Sequence, residues 1–345
     1  MPRAPLSDVD IDIGRESISV SRAGYSKQLI LGTSKNSDYR EYFGIGQVEE
    51  DYAQGSPEHT KAKAIFDQEE HNDSIAIHSI TYDPDASTDP DTPTKLTTEL
   101  DELIKEHADW YFLHSTAQRN ADIEALSDWT DGKLSMFITT SDDVDFVNGF
   151  HDTRSTMRTS LYYHPTDLQF AERMTGRWGV EDPGTITWKF KGVTGSSVVN
   201  LSPAEIKELH SNNVNTYIKK QGKEQTSEGF VVNGDFIDSV HGQDFIEMRM
   251  SEETQTMLQN RNKVPYSSGG IALIVGVVKK VLQEAFDQGI ILENEGGNPS
   301  FTITAPSITD ASPEDRKARK LPPVLFNYQR EGAVHTATIT GRVAV

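Results

Sequence analysis

Both ends of the chain alternate apolar with polar positions. Val9, Ile11 and Ile13 alternate with Asp8, Asp10 and Asp12, and Ile18 and Val20 resume the pattern after Gly14. At the other end Thr336, Thr338 and Thr340 alternate with smaller or apolar residues, while Ile339, Val343 and Val345 supply β-branched bulk. Period-two alternation marks a strand, so both ends are expected to be extended. A strand presents two edges of unpaired backbone groups, which folds normally pair or blunt. Two outcomes are open. Each end pairs within its own fold, or it leaves the body and completes a neighbour's sheet. A head-to-tail contact of the second kind propagates as a helical polymer when its rotation does not close.

Between the ends the pattern switches repeatedly between periods of 2 and 3.6. Short apolar strands are expected at 28–31, 74–81, 110–114, 133–139 and 160–164. Helices are expected at 56–68, 97–107, 119–129 and 166–178. Strands alternating with helices of this length imply βαβ units and a mostly parallel sheet. Residues 83–94 (DPDASTDPDTPT) read as an exposed loop. After residue 185 the regular alternation ends. Strands are expected at Thr185–Lys191, Val214–Lys219, Gly229–Val232, Phe301–Thr304 and Val324–Tyr328. Ser202-Pro203-Ala204-Glu205 is a capping-box signature opening a helix that ends near Asn212–Asn213. Residues 237–261 and 268–288 read as helices, with Gly289 past the end of the second. The second is apolar nearly all round over Ile271–Val278, so its first half is expected to be buried.

Composition sharpens this reading by exclusion. The chain has 345 residues, 33 Lys+Arg against 53 Asp+Glu, a net charge of −20 and no Cys. An acidic surface repels phosphate backbones and anionic lipids, which argues against nucleic-acid and membrane binding. Disulfides, thiol nucleophiles and cysteine-ligated metals are excluded. Apolar residues make up only 35% of the chain, so part of its stability is expected to come from partners. No apolar run approaches a membrane span, and residues near the start show no signal-peptide core.

Candidate chemistry is sparse. There is no Walker loop, no HExxH and no GxSxG elbow. Gly44-Ile45-Gly46 holds part of a dinucleotide fingerprint but reads as a turn. Ser267-Ser268-Gly269-Gly270 could hold an anion at a helix start, and reads more simply as a cap. The ten His fall at no ligand-pair spacing, and Asp142, Asp143 and Asp145 lack calcium-loop spacing. No catalytic, cofactor or metal residues are therefore assigned. The basic cluster Arg316, Lys317, Arg319 and Lys320 stands out in so acidic a chain. It reads either as a solvated helix end complementing the dipole or as a contact for an acidic surface on another subunit or partner protein.

Several stretches taken in order resemble the contractile tail sheath proteins of bacteriophages, nearest the short sheath-like family. They begin with Arg22–Gly32 and with Gly55-Ser56-Pro57 followed by Ala62, Ala64, Phe66 and Gln68. Trp188–Val193, Leu201–Leu209 and Asn213-Val214-Asn215-Thr216-Tyr217 follow. Gly229, Asn233–Asp238, Lys263-Val264-Pro265-Tyr266 and Gly269-Gly270-Ile271 complete the series. The resemblance implies an α/β (α+β) two-domain sheath subunit with mixed sheets flanked by helices and extended terminal β-strand arms. Its divisions would be an N-terminal arm at 1–22, an outer α/β domain at 23–185, an inner core at 186–332 and a C-terminal arm at 333–345. By the same analogy Val9, Ile11, Ile13 and Ile18 pair in one neighbour and Ile339, Val343 and Val345 in another. Gly14, Gly24, Gly332 and Gly341 are placed to act as hinges. The implied protein is not an enzyme and takes no cofactor. It forms a helical array of hexameric rings around a tail tube protein, contacts baseplate and terminator proteins, is assembled in the host cytoplasm and resides in the virion. Arg316–Lys320 is a candidate tube or subunit contact. Two other readings are kept: an α/β enzyme acting on a nucleotide or sugar-phosphate, and a non-contractile tail or capsid component.

Overall fold

A computed structural model describes residues 25–82 and 94–338. In chain order its elements are β1 (Gln28–Gly32), β2 (Ser37–Tyr42), α1 (Ile45–Asp51), α2 (Pro57–Phe66), β3 (Ile75–Ser79), α3 (Thr94–Leu103), β4 (Phe112–Ser115), α4 (Asn120–Thr130), β5 (Met136–Ser141) and α5 (Val144–Thr153). They continue with β6 (Thr159–Tyr163), α6 (Phe170–Trp178), α7 (Pro203–Ser211), β7 (Asn215–Lys220), β8 (Lys223–Thr226), α8 (Ile237–Gln259), α9 (Ser268–Asp287), β9 (Phe301–Thr304), α10 (Pro313–Ala318) and β10 (Leu325–Tyr328).

Eight strands form one mixed sheet in the order β2-β3-β1-β4-β5-β6-β7-β8. The six inner strands pair in parallel, and β2 and β8 close the two edges antiparallel. Every residue of β1, β3, β4 and β5 is buried, as expected of parallel strands with helices on both faces. One face packs Leu29, Leu113, Phe137 and Leu161 against Leu96, Ile123, Leu126 and Phe150. The other packs Phe112, Ile138 and Tyr162 against Phe170, Met174 and Trp188. A separate core lies between α8, α9 and the antiparallel β9–β10 ribbon, built on Phe245, Ile246, Val281 and Leu282.

Local signals explain most elements. Ser56 accepts from the His59 N–H and Pro57 occupies the first turn, so α2 starts where the sequence places it. Ser202 and Glu205 complete a reciprocal capping box on α7. Gln221 and Gly222, at φ 52° and 81°, form the left-handed two-residue turn that joins β7 to β8.

Three expectations need correction. Thr185–Lys191 is not a strand. Trp188 is buried against Phe112 with ring centroids 5.9 Å apart, and Phe190 takes φ 65°, which no strand accommodates. The segment instead wraps Thr226, whose hydroxyl donates to the Trp188 carbonyl at 2.7 Å and whose Oγ1 accepts the Lys191 N–H at 3.0 Å. Gly229–Val232 contributes only an isolated bridge, Phe230 to Phe236. Finally, the first half of α9 is not buried by its own chain. Ile271, Val277 and Val278 face inward, whereas Ala272 and Gly276 are exposed and Leu273, Ile274 and Val275 are half-exposed.

The sheet also continues past the expected division at residue 185. Strands β7 and β8 extend it, and Trp188, Tyr217 and Val231 share a core with Phe112 and Tyr162. In packing terms the α/β body reaches to about residue 236, and the helical unit begins with α8.

Candidate intersubunit surfaces

The natural place for a small ligand in such a sheet is the crevice beyond the carboxyl ends of its strands, where the strand order reverses. Here that point lies between β1 and β4, since the chain runs from β1 to β3 on one side and to β4 on the other. It is filled from within. Glu58, fully buried in the first turn of α2, accepts from the Thr33 and Ser34 N–H groups at 2.9 Å each and from the Ser34 hydroxyl at 2.8 Å. The Ser79 hydroxyl donates to the same carboxylate at 3.1 Å. A Cβ on Gly32 would stand 2.6 Å from Glu58 Cγ, so only glycine lets the carboxylate approach. The chain's own anion thus takes the donors a phosphate would use, and the Thr33 and Thr116 hydroxyls bridge the two loops at 2.7 Å.

A polar cluster below this point is equally internal. Lys61 and Glu172 form an ion pair with side chains 3% and 1% exposed. His114 Nδ1–H donates to the Ile138 carbonyl at 3.0 Å, and Nε2 accepts the Thr175 hydroxyl at 2.9 Å. Burial pushes the His114 imidazole down to about 4, so it is neutral here. These groups tie α2 and α6 to β4 and are sealed from solvent. The acidic stretch at 142–145 is a helix cap, with Asp143 accepting from the Asp145 and Phe146 N–H groups. Gly44 caps α1, and Ser267 caps α9 by accepting the Gly270 N–H. Among the described residues no group of three His, Asp or Glu is arranged to hold a metal ion, and no helix is long and apolar enough to cross a membrane.

What the described residues leave open is apolar side-chain surface and unpaired strand backbone. The β9–β10 ribbon buries Phe301, Ile303, Phe326 and Tyr328 partly against the helices and turns Thr302, Thr304, Leu325 and Asn327 outward. It has two strands among the described residues. The Gln329 N–H bonds the Ser300 carbonyl at 3.0 Å. Alternation along an antiparallel pair therefore turns the backbone groups of Ile303 to one outer edge and those of Phe326 and Tyr328 to the other. Neither edge has a strand partner among the described residues. Leu325, 57% exposed, lies on the same element.

Beside the ribbon, the half-exposed side of α9 forms one wall of an apolar groove of about 560 Å³, with Ile271, Ala272 and Val275 facing Ala305, Pro306 and Ile308. At its end stands α10. Ser312 and Asp315 cap it reciprocally, and Arg319 ends it in the left-handed conformation at φ 58°. The Arg316 guanidinium donates to the Ile308 carbonyl at 2.7 Å, and Tyr266 donates its hydroxyl to the Lys320 carbonyl at 3.0 Å. All four expected basic residues, Arg316, Lys317, Arg319 and Lys320, are exposed. The expected arm residues Val9, Ile11, Ile13, Ile18, Ile339, Val343 and Val345 lie outside the described residues. The ribbon edges and the bare side of α9 were not foreseen. The apolar circumference of Ile271–Val278 was a signal for the second, since a helix apolar all round needs cover on every side.

Residues 237–343, which span α8, α9, the ribbon and α10, match the family of the E217 tail sheath protein gp31-like C-terminal domain. The whole chain superposes on a solved chain of the anti-feeding prophage helical sheath in its contracted state. The TM-score is 0.67 at 14% identity, covering 99% of both chains. The contracted sheath complex of the extracellular contractile injection system PVC matches with a TM-score of 0.66 at 9% identity, over 99% of this chain and 97% of that one. A sheath tail protein from Listeria innocua matches more loosely, with a TM-score of 0.51 at 9% identity over 83% and 89% of the two chains. This is the contractile-sheath fold. No curated protein sequence matches the chain. The resemblance read from residues such as Trp188, Asn213 and Gly269 therefore holds for the fold along the full length, and for a sheath family over 237–343. Both the family and these neighbours are structural sheath proteins.

Proposed function

We propose that this chain is the sheath subunit of a contractile phage tail. Copies assemble as a helical array of rings around a tail tube, and the sleeve shortens to drive the tube through the host envelope. The observation that carries the proposal is a sheath fold over the whole chain whose C-terminal unit holds a two-stranded ribbon with no strand partner on either edge among the described residues. Residues 1–22 and 333–345 supply the missing strands. Val9, Ile11, Ile13 and Ile18 of one copy and Ile339, Val343 and Val345 of another add to the ribbon of a third by β-augmentation. Such a contact is head-to-tail and builds a polymer. The helical unit from α8 onward faces inward, and the eight-stranded body lies outside it. Arg316, Lys317, Arg319 and Lys320 meet an acidic surface of the tube or of the next subunit. Baseplate and terminator proteins cap the array, which forms in the host cytoplasm and ends in the virion.

Contraction is a switch between two lattices of the same subunit. Each copy moves nearly as a rigid body while contacts between copies are remade. The drive is the difference in contact free energy between the lattices, and a few kcal/mol per subunit suffices when summed over the array. Neither catalysis nor a cofactor enters this mechanism. Electron microscopy of the purified chain tests the proposal. Tubes of two lengths and diameters support it, tubes of one fixed form favour a non-contractile component, and dispersed monomers at high concentration contradict it.

A further inference from the structure

The C-terminal segment leaves the body with almost no attachment. The Glu331 N–H donates to the Ile290 carbonyl at 2.9 Å, and no later residue makes a backbone–backbone hydrogen bond among the described residues. Residues 331–334 and 336–338 are all exposed, with Val334 79% so. His335 alone turns inward, its side chain 15% exposed. Its Nε2 accepts the Thr187 hydroxyl at 2.9 Å, and its Nδ1 faces Glu228 Oε2 at 3.5 Å. The ring sits edge-on between Phe236, at 4.9 Å and 89°, and Phe190, at 6.0 Å and 80°.

The socket is built at a cost. Phe190 holds φ 65°, a conformation that a bulky residue adopts only when its surroundings impose it. It stays 42% exposed rather than buried in the core. Its neighbour Lys189 pairs with Glu228 and lies 5.2 Å over the Phe190 ring, which fixes both the ring and the carboxylate. Gly229 permits this close fit, because a Cβ there would stand 2.7 Å from that of Trp188. Burial and Lys189 hold the imidazole below its ordinary value, the direction that suits Nε2 as acceptor of the Thr187 hydroxyl.

We propose that His335, seated among Thr187, Phe190, Glu228 and Phe236, is the anchor that fixes where and in which direction the C-terminal arm departs. The inference rests on the arm assigned above. The free arm then begins after His335 rather than at residue 333. Every copy launches its strand from one point on the α/β body, so lattice geometry is encoded in a side-chain contact instead of in a flexible linker. His335 is a positioning residue, acting through the arm that follows it.

The chain has no cysteine, so nitroxide labels can be placed at Lys220→Cys and Ala337→Cys without background. Pulsed electron resonance on the soluble subunit should give one narrow distance peak. His335→Ala should abolish that peak and leave a broad distribution, with the melting temperature unchanged. His335→Gln, which can still accept the Thr187 hydroxyl, should retain it. Thr187→Val should broaden it, and decides the matter if His335→Ala does not fold. A parent chain already broad, or a peak unmoved by both His335→Ala and Thr187→Val, overturns the anchor. Because the measurement is made on isolated subunits, failure of the parent chain to polymerise would count against the sheath reading alone.

Discussion

Rigid-body motion of the subunit requires that the eight-stranded body and the α8–α9 unit not hinge against each other, and one buried contact bears directly on that requirement. Arg158, just before β6, pairs with Asp244 on α8, with side chains 2% and 1% exposed. Tyr111, fully buried, donates its hydroxyl to Asp244 Oδ2 at 2.6 Å. The His241 ring stacks on Tyr111 at 4.6 Å and donates from Nε2 to the Tyr25 carbonyl at 2.8 Å. Asp244→Ala takes away the carboxylate paired with the buried Arg158 guanidinium and leaves Glu247 as its remaining acidic neighbour, which costs about 3–5 kcal/mol. That is a large part of the ~5–15 kcal/mol typical of a whole fold. Arg158→Met combined with Asp244→Leu removes both charges and should recover most of the loss, because much of it is the penalty of the charge left alone. Urea unfolding gives the values. All four Trp precede residue 190, so fluorescence reports the sheet, while far-ultraviolet circular dichroism also reports α8 and α9. The two should coincide in the parent chain. A loss below about 1 kcal/mol for Asp244→Ala, a double variant no better than the single, or two separate transitions in the parent would refute the rigid coupling.

Other outcomes follow from the same structure. Burial, with Asp235 adding to it, pushes the Asp238 carboxyl up to about 6 from 3.8. A raised folded value means that stability is full below pH 3.8 and is lost as the pH rises through 6. Asp238→Asn should therefore raise stability by about 1–3 kcal/mol at pH 8 and change little below pH 4, read by melting at both. Nothing lies within 4 Å of a Cβ built on Gly276, so Gly276→Ala should stabilise the soluble subunit by up to about 1 kcal/mol. A Cβ on Gly270 would meet the Pro265 carbonyl at 1.8 Å, so Gly270→Ala should lower the melting temperature and disorder the start of α9. Lys317→Glu with Lys320→Glu should leave subunit melting within about 0.5 kcal/mol while weakening assembly and flattening its salt dependence, followed by light scattering across ionic strength.

How much the sequence disclosed depends on where each signal sits. Elements with their own local chemistry were legible. Ser56-Pro57 marks the start of α2, Ser202 and Glu205 mark that of α7, and the buried run Gln28–Leu31 marks β1. Edge strands were not. Strand β2 (SDYREY) alternates exposed with half-buried polar residues, and β8 (KEQT) has no apolar residue at all. Such strands are defined by their partners, not by their composition. Helix α5 was not foreseen, because Asp143, the cap at its start, stands in an acidic run rather than in an apolar pattern. Thr185–Lys191 alternates like a strand, but Trp188 anchors in the core and Phe190 turns left-handed, a tertiary effect that outweighs periodicity. The candidate surfaces divide in the same way. Arg316–Lys320 is visible as a charge run. The ribbon edges exist only once Phe326 and Ile303 are paired, and the His335 socket joins residues 148 positions apart.

The central claim is that terminal strands of one copy fill the ribbon edges of another, and cross-linking tests it most directly. In a chain without cysteine, one preparation carries Val343→Cys and a second carries Leu325→Cys. The two are mixed, polymerised and oxidised. The account predicts disulfide-linked dimers that form only in the mixture and only after assembly. Polymers that assemble fully yet yield no cross-link, in this pair or with Ile11→Cys in place of Val343→Cys, would contradict it.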